Sequence, residues 1–193
     1  MAGNARYTAV LDACVLYPLA IADSLISIAV TGLFAAKWTT KIEEEWINAL
    51  EKNRPDLAGK LFVRRDSMRE AVPDWEISES AWSTLTECLE LPDPSDIHVL
   101  AAAIAGHADC IVTRNHQDFP AKIMTMHGID VLDPDQFIVN QWDLEHVPVM
   151  VAFKAMRARR RKPTESAEDF ASTLEKNGLP TTAQKIRDAA ALI

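Results

Sequence analysis

Acidic residues carry the chemistry of this sequence. Asp12 ends a short apolar run, Val10-Leu11-Asp12-Ala13-Cys14-Val15. A carboxylate closing a buried strand loses hydration and needs compensation, so Asp12 is read as a functional acid in preference to a cap for the next helix. Glu43, Glu44 and Glu45 form a run, and a solvated helix face accounts for two of them. Glu45 stands three residues after Ile42, four before Ala49 and beside Trp46, so helical spacing turns it inward more than Glu44. Glu45 is therefore the expected site acid, with Glu44 as its alternative.

Asp93 and Asp96 open an alanine-rich stretch, Asp93-Pro94-Ser95-Asp96-Ile97-His98-Val99-Leu100-Ala101-Ala102-Ala103. Asp93 suits an N-cap before a proline at the first helical position. Asp96 gains from the helix dipole and precedes a small-residue helix able to pack close to a sheet, which would aim it at the strand ends. Asn115 and Asp118 follow Thr113 in the turn Thr113-Arg114-Asn115-His116-Gln117-Asp118-Phe119-Pro120. Either can reach a cation directly or through water, and either also serves as an ordinary turn former.

Several carboxylates drawn together repel one another and call for a cation or a shared proton. Oxygen ligands suit magnesium and manganese. None of the five histidines has zinc-binding spacing, and His98 is expected to be exposed or at the core edge. Cys14, Cys88 and Cys110 pair with no zinc pattern and are expected to be buried, reduced thiols.

These acids need a scaffold. Residues 7–11 read as a buried strand, and Pro18 opens a helix predicted to run to about Gly32. A weak strand at 35–39 precedes a helix over 41–52 capped by Thr40, with Ile42, Trp46, Ala49 and Leu50 as its apolar face. Residues 54–71 suggest a charged helix or helix pair, and 74–91 resist assignment. The helix from Asp93 stops near Gly106. Strands follow at 110–113 and 129–132, and Asp133-Pro134 caps the next helix. Alternation of strands and helices predicts a parallel sheet with helices on both faces. Ligands of such sheets bind at the carboxyl ends of the strands, where Asp12 and the turn after Thr113 both fall. Beyond about residue 140 the pattern is helical, over 144–162, 164–177 and 181–192.

The net charge of −8 across 193 residues argues against a generic nucleic-acid coat. Basic residues concentrate in one run, Arg157, Arg159, Arg160, Arg161 and Lys162. That run could grip RNA or an acidic partner; a solvated helix end is the default reading. No signal peptide opens the chain. The apolar stretch 15–36 is broken by Pro18, Asp23, Ser24 and Ser27 and is expected to be a core helix, not a membrane span.

At four motifs the chain resembles the PIN-domain family, and within it the VapC-type toxins: Leu11-Asp12-Ala13-Cys14-Val15-Leu16, Ile42-Glu43-Glu44-Glu45-Trp46, the segment from Pro92 to Ala103, and the segment from Ile111 to Pro120. The third and fourth, in this order and separation, are the specific ones. The likeness spans residues 6–138, and 140–193 resembles a helical extension of one branch of these toxins. It implies a three-layer α/β/α sandwich with a central parallel sheet. It also implies magnesium or manganese at the acid cluster, RNA as substrate, a DNA-binding antitoxin, a homodimer and a cytoplasmic location. Carried over by motif, Asp12, Glu45 and Asp96 are the metal-site acids. Many relatives place an acid directly after Thr-Arg; this chain has Asn115 and keeps the later Asp118, so either completes the site.

The expected chemistry is metal-assisted phosphodiester hydrolysis. Asp12 and Asp96 hold the ion. Glu45 orients or deprotonates water, or serves a second ion supported by Asp118. Asn115 fixes Asp12 or a ligand water, and Thr113, Arg114 and Asn115 face the substrate, with Arg114 on a phosphate. A haloacid-dehalogenase-like phosphatase needs a second Asp where Cys14 stands, and a phosphoreceiver domain needs an early acid pair and a late lysine that are missing. The alternative of another class is a catalytically inactive PIN fold that binds RNA or protein, favoured by Asn115 and opposed by the retained Asp12, Glu45, Asp96 and Asp118.

Overall fold

The computed structural model describes residues 6–160 and 165–193. Arg161, Lys162 and the expected helix start at Thr164 lie outside them. Four strands form one parallel sheet in the order β2-β1-β3-β4: β1 (Thr8–Leu11), β2 (Ala35–Lys37), β3 (Cys110–Val112) and β4 (Asp130–Leu132). Ala9, Val10 and Leu11 of β1, and all three residues of β3, are fully buried, as expected of strands covered on both faces. The chain leaves β1 toward β2 on one side and leaves β3 toward β4 on the other. A crevice therefore opens at the carboxyl ends of β1 and β3, where this kind of sheet binds ligands. Leu11 pairs with Val112, which sets Asp12 beside Thr113.

A short turn, α1 (Ala13–Leu16), follows Asp12 and leads through Pro18 into α2 (Leu19–Val30). The expected long helix is thus preceded by a separate turn. α2 packs on β2 and is buried along most of its length, which accounts for its apolar composition without a membrane. Among the described residues no helix is long and apolar enough to cross one.

α3 spans Thr40–Asn53, and its cap is Thr39, not Thr40: Thr39 Oγ1 accepts from Ile42 N at 3.1 Å. Ile42 and Trp46 are buried as expected, whereas Ala49 is exposed. The sequence reading missed Glu43, which is only 2% exposed. Its carboxylate accepts from Trp38 Nε1 at 2.9 Å and pairs with Arg69 of α4 (Phe62–Ala71). The charged part of that compensation, Arg69, lies 26 residues further along the chain. The segment that resisted assignment adds a bridge between Trp38 and Glu76, the turn α5 (Glu79–Trp82) and a 3-10 stretch.

α6 (Ile97–Ala105) packs on β1 and β3 through fully buried Val99, Leu100, Ala101, Ala102 and Ala103. The small side chains let this helix lie close to the sheet, as expected. It is entered by a 3-10 turn, Pro94–Asp96, in which Asp93 accepts from Ser95 N. α7 (Ala121–His127), not anticipated, carries the chain from β3 to β4 and ends at Gly128 in the left-handed conformation, a C-terminal signal that glycine supplies at no steric cost.

Asp133 caps α8 (Pro134–Leu144), as expected, through Asp135 N. Then follow α9 (His146–Arg159), α10 (Ala167–Lys176) and α11 (Pro180–Asp188). The division between 138 and 140 falls inside α8, whose Phe137 and Ile138 are fully buried. Phe153, Met156, Phe170, Leu174 and Ile186 belong to the same hydrophobic core as the sheet, and α9 and α10 both contact α2. Asp135 ties the segments further, accepting from Thr181 N and Thr182 N at 2.8 Å each.

The cysteines differ from expectation in burial: Cys110 is buried, Cys14 half-buried and Cys88 exposed, and all are free. Two arginines of the basic run are engaged within the chain. Arg159 pairs with Asp23, and Arg160 pairs with Glu165 and covers the Phe170 ring.

Candidate active site

Asp12 is 6% exposed at the end of β1. Its side chain makes no capping hydrogen bond to α1. Instead Oδ2 accepts from Thr113 Oγ1 at 2.7 Å and from Cys14 Sγ at 3.0 Å. Backbone bonds hold both strand ends: Asp12 N donates to Val112 O, and Thr113 N to Leu132 O. Arg114 N donates to Cys14 Sγ and Asn115 N to Thr113 Oγ1. Burial, then the charge on Asp12, pushes the Cys14 thiol up to about 12. Cys14 is thus a neutral donor that orients the acid. Thr113, expected to face substrate, is fully buried because its hydroxyl is used on Asp12.

The acids converge at the mouth of α6. Asp93, Asp96 and Asp118 each offer a carboxylate oxygen within 4.8 Å of the others. Asp96 ends the turn that enters α6, and Asp118 ends the 3-10 turn His116–Asp118 after β3. The Asp96 carboxyl is raised to about 7, first by burial and then by the charges of Asp12, Asp118 and Asp93. Asp12 thus acts electrically on this group while its own carboxylate is fixed by Thr113 and Cys14. Asp93 was read only as a cap. It is that too, accepting from Ser95 N and Ser95 Oγ at 2.8 Å each, bonds that hold it below the usual carboxylate range. Its proline neighbour signals the cap; its site role depends on Asp118, 25 residues away by number.

Asn115 Nδ2 lies 3.5 Å from Asp96 Oδ2, so the amide serves Asp96 where the sequence suggested Asp12 or a water. Glu45 stands apart from the three aspartates. Its Oε1 lies 2.7 Å from Nε2 of His98, a close contact that is not aligned as a hydrogen bond. His98 is 2% exposed, buried where an exposed or core-edge position was expected, and its ring lies 6.0 Å from that of Trp82. Glu44 is exposed while Glu45 is half-buried, so Glu45 is turned inward more than Glu44, although Glu43 is the most buried of the three. Arg114, expected on a substrate phosphate, donates from its guanidinium to the carbonyl of Asn177.

The donor set is all oxygen and anionic. It fits a hard divalent cation, which would relieve the repulsion that raises Asp96. Asp93, Asp96 and Asp118 are placed to hold such an ion, with Asp12 beside them.

Known proteins resemble this chain. The PIN domain family model matches residues 8–117, and the VapC50 C-terminal domain model matches 134–188. A relative described as "Putative ribonuclease VapC50", from Mycobacterium tuberculosis (strain ATCC 25618 / H37Rv), is 45% identical over 49 residues. That stretch covers 25% of this chain and 29% of the relative, so the chain spans under a third of the relative it matches. No solved structure matches. Since the PIN domain match runs over more than half of the 193 residues and includes both strands that frame the acid cluster, the chain belongs to the PIN domain family.

Proposed function

We propose that this protein is a magnesium- or manganese-dependent endoribonuclease acting as the toxin of a toxin–antitoxin pair. The observation that carries the reading is Asp96, raised to about 7 among Asp12, Asp93 and Asp118 at the carboxyl ends of two adjacent parallel strands. Proton affinity of this kind marks a place where positive charge is wanted. The partial relative named a putative ribonuclease supports RNA as the substrate class.

Asp96 and Asp118 hold the cation with Asp93 or Asp12. When bound, the cation supplies Lewis-acid stabilisation of charge on a phosphodiester and acidifies water. Asp12, oriented by Thr113 and Cys14, adds its carboxylate at the strand ends. Asn115 steers Asp96 through its amide. Glu45, held against His98, is the acid left to accept a proton from the attacking water. All these acids precede residue 138, so the division into 6–138 and 140–193 is functional: chemistry in the first part, support or partner binding in the second. A DNA-binding antitoxin, a homodimer and a cytoplasmic location complete the reading.

The second reading, a PIN fold that binds RNA or protein without cutting it, draws on Asn115, an amide close to the acid cluster. One experiment separates the two. Purified protein is incubated with RNA in chelator, in magnesium and in manganese. Cleavage with either metal and none with chelator supports the nuclease; RNA binding without cleavage in any condition supports the binding module.

A further inference from the structure

The turn that follows β3 carries Asn115 and Asp118 into the acid cluster, yet its Arg114 side chain is anchored on the helical extension. The exposed Arg114 reaches across to the junction of α10 and α11 and donates to the carbonyl of Asn177. Asn177 is the C-terminal cap of α10. Carbonyls at a helix C-terminus lack intrahelical donors and carry the negative end of the helix dipole, so a guanidinium is well matched to this place.

The next residue makes the approach possible. Gly178 has φ +84, and a Cβ there would run into the Arg114 guanidinium. The receiving junction is itself held. Leu179 is fully buried, and the Asp135 carboxylate binds the first backbone amides of α11. Asp135 belongs to α8, the helix directly after β4, whose Leu132 accepts from Thr113 N. The turn and the junction that Arg114 joins are thus anchored to the same sheet edge.

We infer that Arg114 is a positioning residue that fastens the acid-bearing turn 114–118 to the helical extension, so that residues beyond 140 set the geometry of the metal-holding acids. The inference rests on the nuclease reading above. It replaces the expectation that Arg114 binds a substrate phosphate, and it gives the extension a part in the site although it contributes no acid.

The test uses full-length Arg114→Met, Gly178→Ala and the double variant, each checked for folding by circular dichroism. Manganese affinity is read from the metal-induced melting shift, RNA cleavage from kcat and KM, and phosphate contact from the salt dependence of RNA binding. Arg114→Met is expected to weaken manganese at least fivefold and to lower kcat, with the salt slope unchanged. Gly178→Ala is expected to do the same. Its backbone strain is present with or without Arg114, so a smaller effect of Gly178→Ala in the Arg114→Met background isolates the guanidinium contact. A salt slope reduced by about one with manganese affinity unaltered would make Arg114 a phosphate contact and overturn the inference alone. Wild type that neither binds manganese nor cuts RNA would overturn the nuclease reading and this inference together.

Discussion

Nε2 of His98 lies 2.7 Å from Oε1 of Glu45, which brings α3 against α6, the helix that follows Asp96. The histidine is buried and its ring lies 6.0 Å from that of Trp82, so the half-buried glutamate rests against a ring fixed in the core. Two residues after Asp96, the chain thus supplies the ring that contacts a second acid, one that stands apart from the three aspartates. Glu43, two residues earlier on the same helix, has a different part: its partners are Trp38 and Arg69.

These two glutamates give opposite expectations. Glu45→Gln keeps the shape of the side chain and is expected to reduce RNA cleavage by about 10²-fold or more, with the melting temperature little changed. Glu43→Ala leaves Arg69 and the Trp38 N–H without their acceptor and is expected to cost roughly 2–4 kcal/mol of stability. Urea denaturation and a cleavage assay on both variants check this. Normal cleavage by Glu45→Gln would remove Glu45 from the site.

Local signals made much of this legible. Strand ends, the Asp93-Pro94 cap and the small-residue face of α6 are all short-range patterns, and each is realised; the spacing of Glu45 against Ile42 and Trp46 separates it from exposed Glu44 but not from buried Glu43. What stayed hidden depends on partners far along the chain. Glu43 is buried because Trp38 and Arg69 compensate it. Asp93 joins the cluster because the turn after β3 delivers Asp118. The hydroxyl of Thr113 and the guanidinium of Arg114 are taken up by Asp12 and by the carbonyl of Asn177, 101 and 63 residues away. Periodicity on one segment cannot report contacts chosen by the fold.

Asp96 predicts a pH dependence for the metal-free protein. Its folded value of about 7 lies above the ordinary 3.8. Between about pH 4 and pH 7 the folded chain binds more protons than the unfolded chain, so this group's contribution to stability is complete below pH 4 and is lost as pH rises toward 7. In chelator, Asp96→Asn is expected to melt higher than wild type at pH 7.5 and to show a flatter profile from pH 4 to 7. Parallel profiles for the two proteins would mean that Asp96 is not strained by its neighbours.

The helical extension is part of the core. Deleting residues 145–193 removes Phe153, Met156, Phe170, Leu174 and Ile186 from the common hydrophobic cluster, and the product is expected to be insoluble or to lack a cooperative melting transition. A point variant asks the same question more gently. Asp135→Ala strips the cap from Thr181 and Thr182 and is expected to cost about 2 kcal/mol, measured by thermal denaturation. A truncated protein that melts cooperatively would show instead that residues 6–138 fold alone.

Metal binding and function are tested by the same pair of proteins. Repulsion among Asp12, Asp93, Asp96 and Asp118 is relieved when a divalent cation binds, so manganese at 100 times its Kd is expected to stabilise wild type by about 2.7 kcal/mol. Asp96→Asn removes a charge and a ligand atom with little change of shape, and is expected to lose most of that stabilisation. Expressed in bacteria without a partner, wild type is expected to arrest growth, and Asp96→Asn to relieve the arrest. In vitro the wild type should cut RNA only with magnesium or manganese present. Because the substituted protein is expected to be at least as stable as wild type when metal-free, its loss of toxicity reports lost chemistry and not lost folding. Equal arrest by both proteins would rule out this acid cluster as the source of toxicity and leave the binding-module reading in its place.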